Sequence, residues 1–318
     1  MTDEILRVEN LHTTFTTSAG EVKAVDGVSF TVRRGEVLGI AGESGSGKSA
    51  TMLSVMGLLG EAGNVSYDRL DFMGENLTPE SVKAMRGDKI AMIFQDPMTS
   101  LNPVLSVGYQ LEESLRRHNW QGNIRERVAE MMTKVGIVPA EERMRQYPYE
   151  FSGGQRQRLM IAMSILCGPE LLIADEPTTA LDVTVQAQIL GLLREIRHSS
   201  GMSMILITHD LGVIAGEADR VIVMYGGRVM EEGTVLEIFK SPAHPYTRGL
   251  LRSVPKADGS RERLIPIDGQ SPDLLNPPEG CPFVKRCNDA MRICLHRKPD
   301  AMTLSETHRY SCWKGVNV

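Results

Sequence analysis

Residues 42–49 read Gly42-Glu43-Ser44-Gly45-Ser46-Gly47-Lys48-Ser49. An apolar run, Val37 to Ala41, leads into them, and Ala50 to Leu59 follows with a helical composition. The order predicts a buried parallel strand, a tight loop and a helix. Glycines at 42, 45 and 47 allow backbone N–H groups to turn inward around an anion, and the new helix adds its positive end. Lys48 is placed to reach the β- and γ-phosphates of a nucleotide, and Ser49 to set its hydroxyl on Mg²⁺. Glu43, Ser44, Ser46 and Ala50 line the same cradle. A flexible Gly/Ser turn is the bland alternative, and the strand before and helix after decide against it.

A second buried strand is expected over Leu171 to Ala174, ending in Asp175-Glu176. Two adjacent acids at an apolar strand end need a counter-charge, and Mg²⁺·ATP supplies one. Asp175 is then a ligand of Mg²⁺, direct or one step removed. Glu176 is the group that orients and polarises the attacking water. A third stretch, Phe151-Ser152-Gly153-Gly154-Gln155, opens a helix expected to run to about Cys167. Its small residues and free N–H groups suit a γ-phosphate, but the first loop is already a complete cradle. The economical reading is a second anion site serving a nucleotide on another subunit. A fourth stretch ends the strand Met204 to Thr208 in His209-Asp210. Beside a γ-phosphate, His209 becomes a hydrogen-bonding clamp; the bland rival is a satisfied core histidine. The remaining histidines, including His118 and His198, lack ligand spacing and are read as surface residues.

In combination these stretches resemble ATP-binding cassette (ABC) ATPases over about residues 5 to 235. Ser152 to Gln155 is similar to the family signature, with Phe151 where Leu is commoner. Ile93-Phe94-Gln95-Asp96-Pro97 resembles the Q-loop, Ala180-Leu181-Asp182 the D-loop, and His209 the switch histidine. Phe15 sits where the family stacks an aromatic ring on adenine. The resemblance implies that Lys48, Ser49, Gln95 and Asp175 of one chain hold Mg²⁺·ATP, with Gln95 sensing metal and water. The segment Ser152, Gly153, Gly154, Gln155 of a facing chain closes the site together with Asp182, and hydrolysis with Glu176 and His209 releases the pair.

At 318 residues the chain holds one large α/β domain and a smaller appendage. The expected class is α/β: a phosphate-loop ATPase with a RecA-like core sheet, a helical subdomain over about 100–165, and a cysteine-containing C-terminal extension. The cassette is expected over 1–240 and the extension over 241–318. Val107 to Leu115 and Arg125 to Val135 read as amphipathic helices of the subdomain, the part that in the family receives a membrane subunit's cytoplasmic helix. There is no internal repeat, so one cassette is expected. Of eighteen methionines, Met160, Met163 and Met204 fall in apolar patterns and read as core. A net charge of −5 gives no electrostatic footprint for nucleic acid. No apolar run approaches the ~20 residues that span a bilayer, and the N-terminus lacks a secretion signal. The expected location is the cytoplasmic face of the membrane, held by partners.

From 241 the texture changes. Ser241 to Leu251, with His244-Pro245-Tyr246-Thr247, is followed by a Pro-, Gly- and Asp-rich stretch to Glu279 and by Cys281, Cys287, Cys294 and Cys312. This resembles the C-terminal extension of dipeptide/oligopeptide importer ATPases, as do Phe94 to Pro103 and Ala174 to Thr184. The resemblance implies ATP-driven import of dipeptides or oligopeptides. The expected partners are two membrane permeases, a second related ATPase in a heterodimer, and an extracellular substrate-binding protein, with no nucleic acid. Nickel or an antimicrobial peptide as cargo is the nearest alternative. A soluble cassette protein acting on ribosomes or DNA is the rival from another class; such proteins usually carry two cassettes or a coiled-coil insert.

Disulfides do not persist in the cytoplasm, so four clustered thiols need another account. Four thiolates satisfy a [4Fe–4S] cluster or tetrahedral zinc, or stand unliganded as structural thiols. Intervals of five, six and seventeen residues depart from the paired spacing of structural zinc. Pro282 directly after Cys281 favours the iron–sulfur reading, as does the family resemblance. Such a cluster would fold an otherwise coreless tail. Cys167, on the helix after the signature, is read as core.

Overall fold

The structure is a computed structural model that describes residues 3–95, 100–179, 181–253 and 266–314. The chain divides into two compact units, Met1–Leu77 with Ile207–Val318, and Thr78–Leu206. The first unit begins with two long strands, β1 (Glu4–Thr17) and β2 (Gly20–Arg33), paired antiparallel. β3 (Val37–Ala41) and α1 (Lys48–Val55) come next, then β4 (Gly63–Ser66), β5 (Arg69–Phe72) and β6 (Glu75–Asn76). β1 takes β4 and β5 on its free edge, giving an antiparallel sheet ordered β2-β1-β5-β6. β3 is buried along its whole length, as a parallel strand covered on both faces must be.

The second unit runs through α2 (Pro79–Met85), β7 (Ile90–Ile93), α3 (Val107–Arg117), α4 (Ile124–Lys134), α5 (Ala140–Arg143), α6 (Gly153–Ile165), β8 (Leu171–Asp175), α7 (Val183–Ser200) and β9 (Ser203–Ile207). β7 and β8 pair parallel with Ile90 opposite Leu171, and β9 flanks β8. All three strands are buried at every position. α3 and α4 start on side-chain caps from Ser106 and Asn123, each accepting a first-turn N–H. Val107, Leu111 and Leu115 face inward at the helical period, as do Val128, Met131 and Met132. Met160 and Met204 are core; Met163 and Cys167 are only half-buried.

The chain re-enters the first unit with α8 (Leu211–Glu217), β10 (Arg220–Tyr225), β11 (Arg228–Thr234), α9 (Val235–Lys240), α10 (Pro245–Arg252), α11 (Ile293–His296), β12 (Met302–Thr303) and β13 (Arg309–Tyr310). β10 lies parallel to β3 and antiparallel to β11, and the extension adds β13 and β12 beyond β11. The extension is therefore not coreless. Cys281, Phe283, Val284 and Cys294 join Val221, Val223, Tyr225, Met230 and Tyr246 in one buried cluster. Tyr225, Tyr246 and Phe283 pack with ring centroids 4.5 to 5.3 Å apart, and full burial of each large apolar side chain contributes roughly 1.5–3 kcal/mol.

Two histidines expected at the surface are core residues: His244 is 1% exposed and His308 4%. Glu231, fully buried on β11, explains both. Its carboxylate accepts the N–H groups of Ala243 and His244 and lies 2.7 Å from His308 Nε2. His244 Nδ1 accepts the Tyr246 N–H, capping α10. Burial pushes the His244 pKa down to about 3, so that ring is neutral.

Candidate active site

The phosphate loop is built as its sequence requires. Gly47 has φ +99°, and a Cβ there would stand 2.5 Å from the Ala24 carbonyl oxygen. At Gly42, with φ +151°, it would stand 2.3 Å from the Met224 carbonyl. Any side chain at either position would push strand backbone out of the way. No side chain caps the start of α1, and a helix start directly behind a glycine-rich loop is a place where an anion can be held. Because Gly47 is left-handed, the helix begins at Lys48, two residues ahead of the predicted Ala50, and it ends at Val55. Lys48 is 5% exposed, and its ammonium donates to the carbonyls of Gly42 (2.8 Å) and Glu43 (2.9 Å). Ser44 and Gly45 are exposed, Ser49 and Ala50 half-buried, and Ser46 is buried.

The same unit carries Phe15 and His209. Phe15 is half-buried on β1, in register with Val22 of β2 and Gly63 of β4. His209 is exposed just past β9, between buried Thr208 and exposed Asp210, whose carboxylate caps α8 through the N–H groups of Gly212 and Val213.

In the other unit Asp175 closes β8 and is 4% exposed. Glu176 follows with φ +47°, a left-handed backbone unusual for a residue with a side chain. Its Oε2 accepts from Gln95 Nε2 at 3.1 Å and from Thr179 Oγ1 at 2.7 Å. The amide and the carboxylate predicted to share a water-handling task are thus in direct contact. The signature forms a capping box: Ser152 Oγ accepts the Gln155 N–H, and Gln155 Oε1 accepts the Ser152 N–H. Ser152 and Gly153 are exposed, while a Cβ on Gly154 would meet Val185 Cγ1 at 2.9 Å. Asp182 is the N-cap of α7, accepting from the Val185 N–H. Asp96 and Pro97 of the Q-loop and Ala180 of the D-loop lie outside the described residues.

The sequence reading missed Gln157. It is 2% exposed, and its amide donates to the Pro177 carbonyl at 2.7 Å, tying α6 to the turn that carries Glu176. Only its inward phase on the helix could have marked it. In the extension the four cysteines line one small cavity with His244, Pro245 and Trp313. Cys281 and Cys294 are buried, Cys287 and Cys312 half-buried. Burial pushes the Cys281 thiol up to about 12 and raises Cys287 and Cys312. The sulfurs are gathered yet not arranged as ligands: among the described residues no group of three or more His, Cys, Asp or Glu side chains is set to hold a metal ion.

Residues 25–179 match the ABC transporter family, and residues 230–294 match the oligopeptide/dipeptide transporter C-terminal region. The dipeptide transport ATP-binding protein DppD of Bacillus subtilis is 52% identical, over 98% of this chain and 95% of its own. The oligopeptide transport ATP-binding protein OppD of Salmonella typhimurium is 49% identical, over 98% and 94%. Among solved structures, cbiO1 from Clostridium perfringens, part of the ABC transporter complex cbiONQ, superposes with a TM-score of 0.63 at 30% identity. It covers 76% of this chain and 92% of its own. A dimeric ATP-binding cassette in a post-hydrolysis state with ADP and Pi gives 0.61 at 29% identity, covering 72% and 98%. The phosphate loop, the acid-ended strand and the capped signature are thus those of a phosphate-loop ATPase, and the chain belongs to the ABC transporter family, in the group that carries the oligopeptide/dipeptide C-terminal region.

Proposed function

We propose that this chain is the ATP-hydrolysing subunit of an importer of dipeptides or oligopeptides. The carrying observation is that relatives named for dipeptide and oligopeptide transport align over 98% of it, extension included. Lys48 and the first-turn N–H groups of α1 take the β- and γ-phosphates, and Phe15 stacks on the adenine. Ser49, Asp175 and Gln95 offer oxygen donors, the chemistry Mg²⁺ prefers. Bound there, Mg²⁺ neutralises charge developing on the phosphates. Glu176, its carboxylate held by Gln95 and Thr179, orients the attacking water, and His209 donates to the γ-phosphate.

The capped segment Ser152–Gln155, with Asp182, closes the nucleotide of a facing ATPase subunit, here a related but different chain. The similar cassette solved with ADP and Pi is dimeric, which supports pairing in general. Closing and opening of the pair would drive two membrane permeases, with an extracellular binding protein delivering peptide. Among the described residues no helix is long and apolar enough to cross a membrane. The likeness to importer ATP-binding proteins supports placing the subunit at the cytoplasmic face, held by its partners. The cassette is assigned to 1–240 and the extension to 241–318.

The four cysteines share one cavity but would have to draw together to ligate, and on that condition we propose a [4Fe–4S] centre at Cys281, Cys287, Cys294 and Cys312, with zinc as the alternative. One preparation tests both proposals: the complex with its permeases, purified without oxygen and reconstituted in vesicles. Di- or oligopeptides with the binding protein should stimulate ATP hydrolysis, and each chain should carry about four irons and four sulfides. Stimulation by nickel instead of peptides would overturn the cargo. A colourless chain with one zinc would overturn the cluster.

A further inference from the structure

The phosphate loop is gripped from outside by the C-terminal extension, through Glu43. Its carboxylate accepts two bonds from Arg286, Nη1 to Oε2 at 2.6 Å and Nη2 to Oε1 at 3.0 Å, and a third from Ser271 Oγ at 3.2 Å. Its backbone N–H donates to the Tyr246 phenol oxygen at 3.0 Å, while its carbonyl receives the Lys48 ammonium. One residue of the loop thus has its amide and its carboxylate tied to residues 246–286 and its carbonyl turned toward Lys48.

Arg286 is fixed before it meets Glu43. Its side chain is 6% exposed, and its remaining N–H groups donate to Asp268 O, Ile267 O and Tyr225 Oη. With two bonds to Glu43 that accounts for all five donors of a guanidinium. The guanidinium carbon also lies 5.6 Å from the Tyr225 ring centroid. A rigid two-point fork of this kind is far from an exposed, mobile ion pair.

A loop that takes a multiply charged anion is poorly served by a bare carboxylate at its second position, since like charges so close repel. We propose that Arg286 is a positioning residue for nucleotide binding: it neutralises and orients Glu43, so that the affinity of the phosphate loop depends on the extension. The inference rests on the reading of residues 42–49 as the nucleotide site.

Mg²⁺·ATP dissociation constants of the full chain, by equilibrium dialysis, test it. Arg286→Gln should weaken binding about tenfold or more, with Arg286→Lys between it and the parent because charge remains and the fork is lost. In a Glu43→Gln background, where no carboxylate needs neutralising, Arg286→Gln should cost less than about threefold. A merely structural role would give the same loss in both backgrounds, and that result would overturn the proposal. So would an Arg286→Gln chain binding within about twofold of the parent. If thermal unfolding shows that Arg286→Gln has lost its fold, Arg286→Lys in the two backgrounds makes the same comparison. Lys48→Ala separates the two readings. If it leaves binding intact, the loop itself is misassigned; if it abolishes binding while Arg286 variants do not weaken it, only the present inference fails.

Discussion

Glu176 combines an unusual backbone with a doubly held side chain. A left-handed φ on a residue with a Cβ costs of the order of 1–3 kcal/mol and persists only where the surroundings over-determine it. Bonds from Gln95 and Thr179 fall on Oε2 and orient the carboxylate proposed to polarise the attacking water. Glu176→Gln keeps size and an acceptor for Thr179 but removes the charge that draws a proton from that water. Turnover of the reconstituted complex should fall at least ~100-fold with ATP still bound. Near-normal hydrolysis with the change in both ATPase subunits would rule out this role.

At the scale of elements, the caps carry most of the local information. Thr234 and Glu237 form a capping box on α9, and the same carboxylate takes hydroxyl bonds from Ser305 and Thr307 of the extension. Burial opposes its ionisation, yet the bonds from Ser305, Thr234 and Thr307 outweigh that and hold the carboxyl at about 2, against an ordinary 4.5. A depressed folded pKa stabilises fully above the unfolded value and less as pH falls through the folded one. Glu237→Gln should therefore be less stable than the parent at pH 6, and the gap should shrink between pH 4.5 and pH 3 in urea unfolding. A gap that ignores pH would mean that Glu237 acts by packing alone. The signature helix offers a second test. Because a side chain at Gly154 would press on Val185, Gly153→Asp is the cleaner probe: the position is exposed and open, and an acid at a helix start is tolerated. The isolated chain should fold and bind ATP normally, while ATP-driven pairing with the partner ATPase, read by gel filtration, should be lost. Loss of ATP binding in the isolated chain would show that the motif acts on its own nucleotide.

Across the whole molecule, what was legible in the sequence was local. The phosphate loop, the strand ending at Asp175 and the helix behind Ser152 each announce themselves within ten residues, because turn glycines, apolar runs and caps act between near neighbours. What escaped depends on residues far apart in the chain. His244 and His308 read as surface until β11 supplies Glu231. A proline-rich tail reads as coreless until Phe283 meets Tyr225 and Tyr246. No period or motif pairs Arg286 with Glu43. That pair spans 243 residues of sequence, which sets a schedule for biosynthesis. At ribosomal speeds of about 5–20 residues per second, Glu43 waits on the order of ten to fifty seconds for its counter-charge to be made. Until then the nascent loop carries an unanswered carboxylate, so on the coupling proposed above a chain cut short before Arg286 should bind ATP about tenfold more weakly than the full chain.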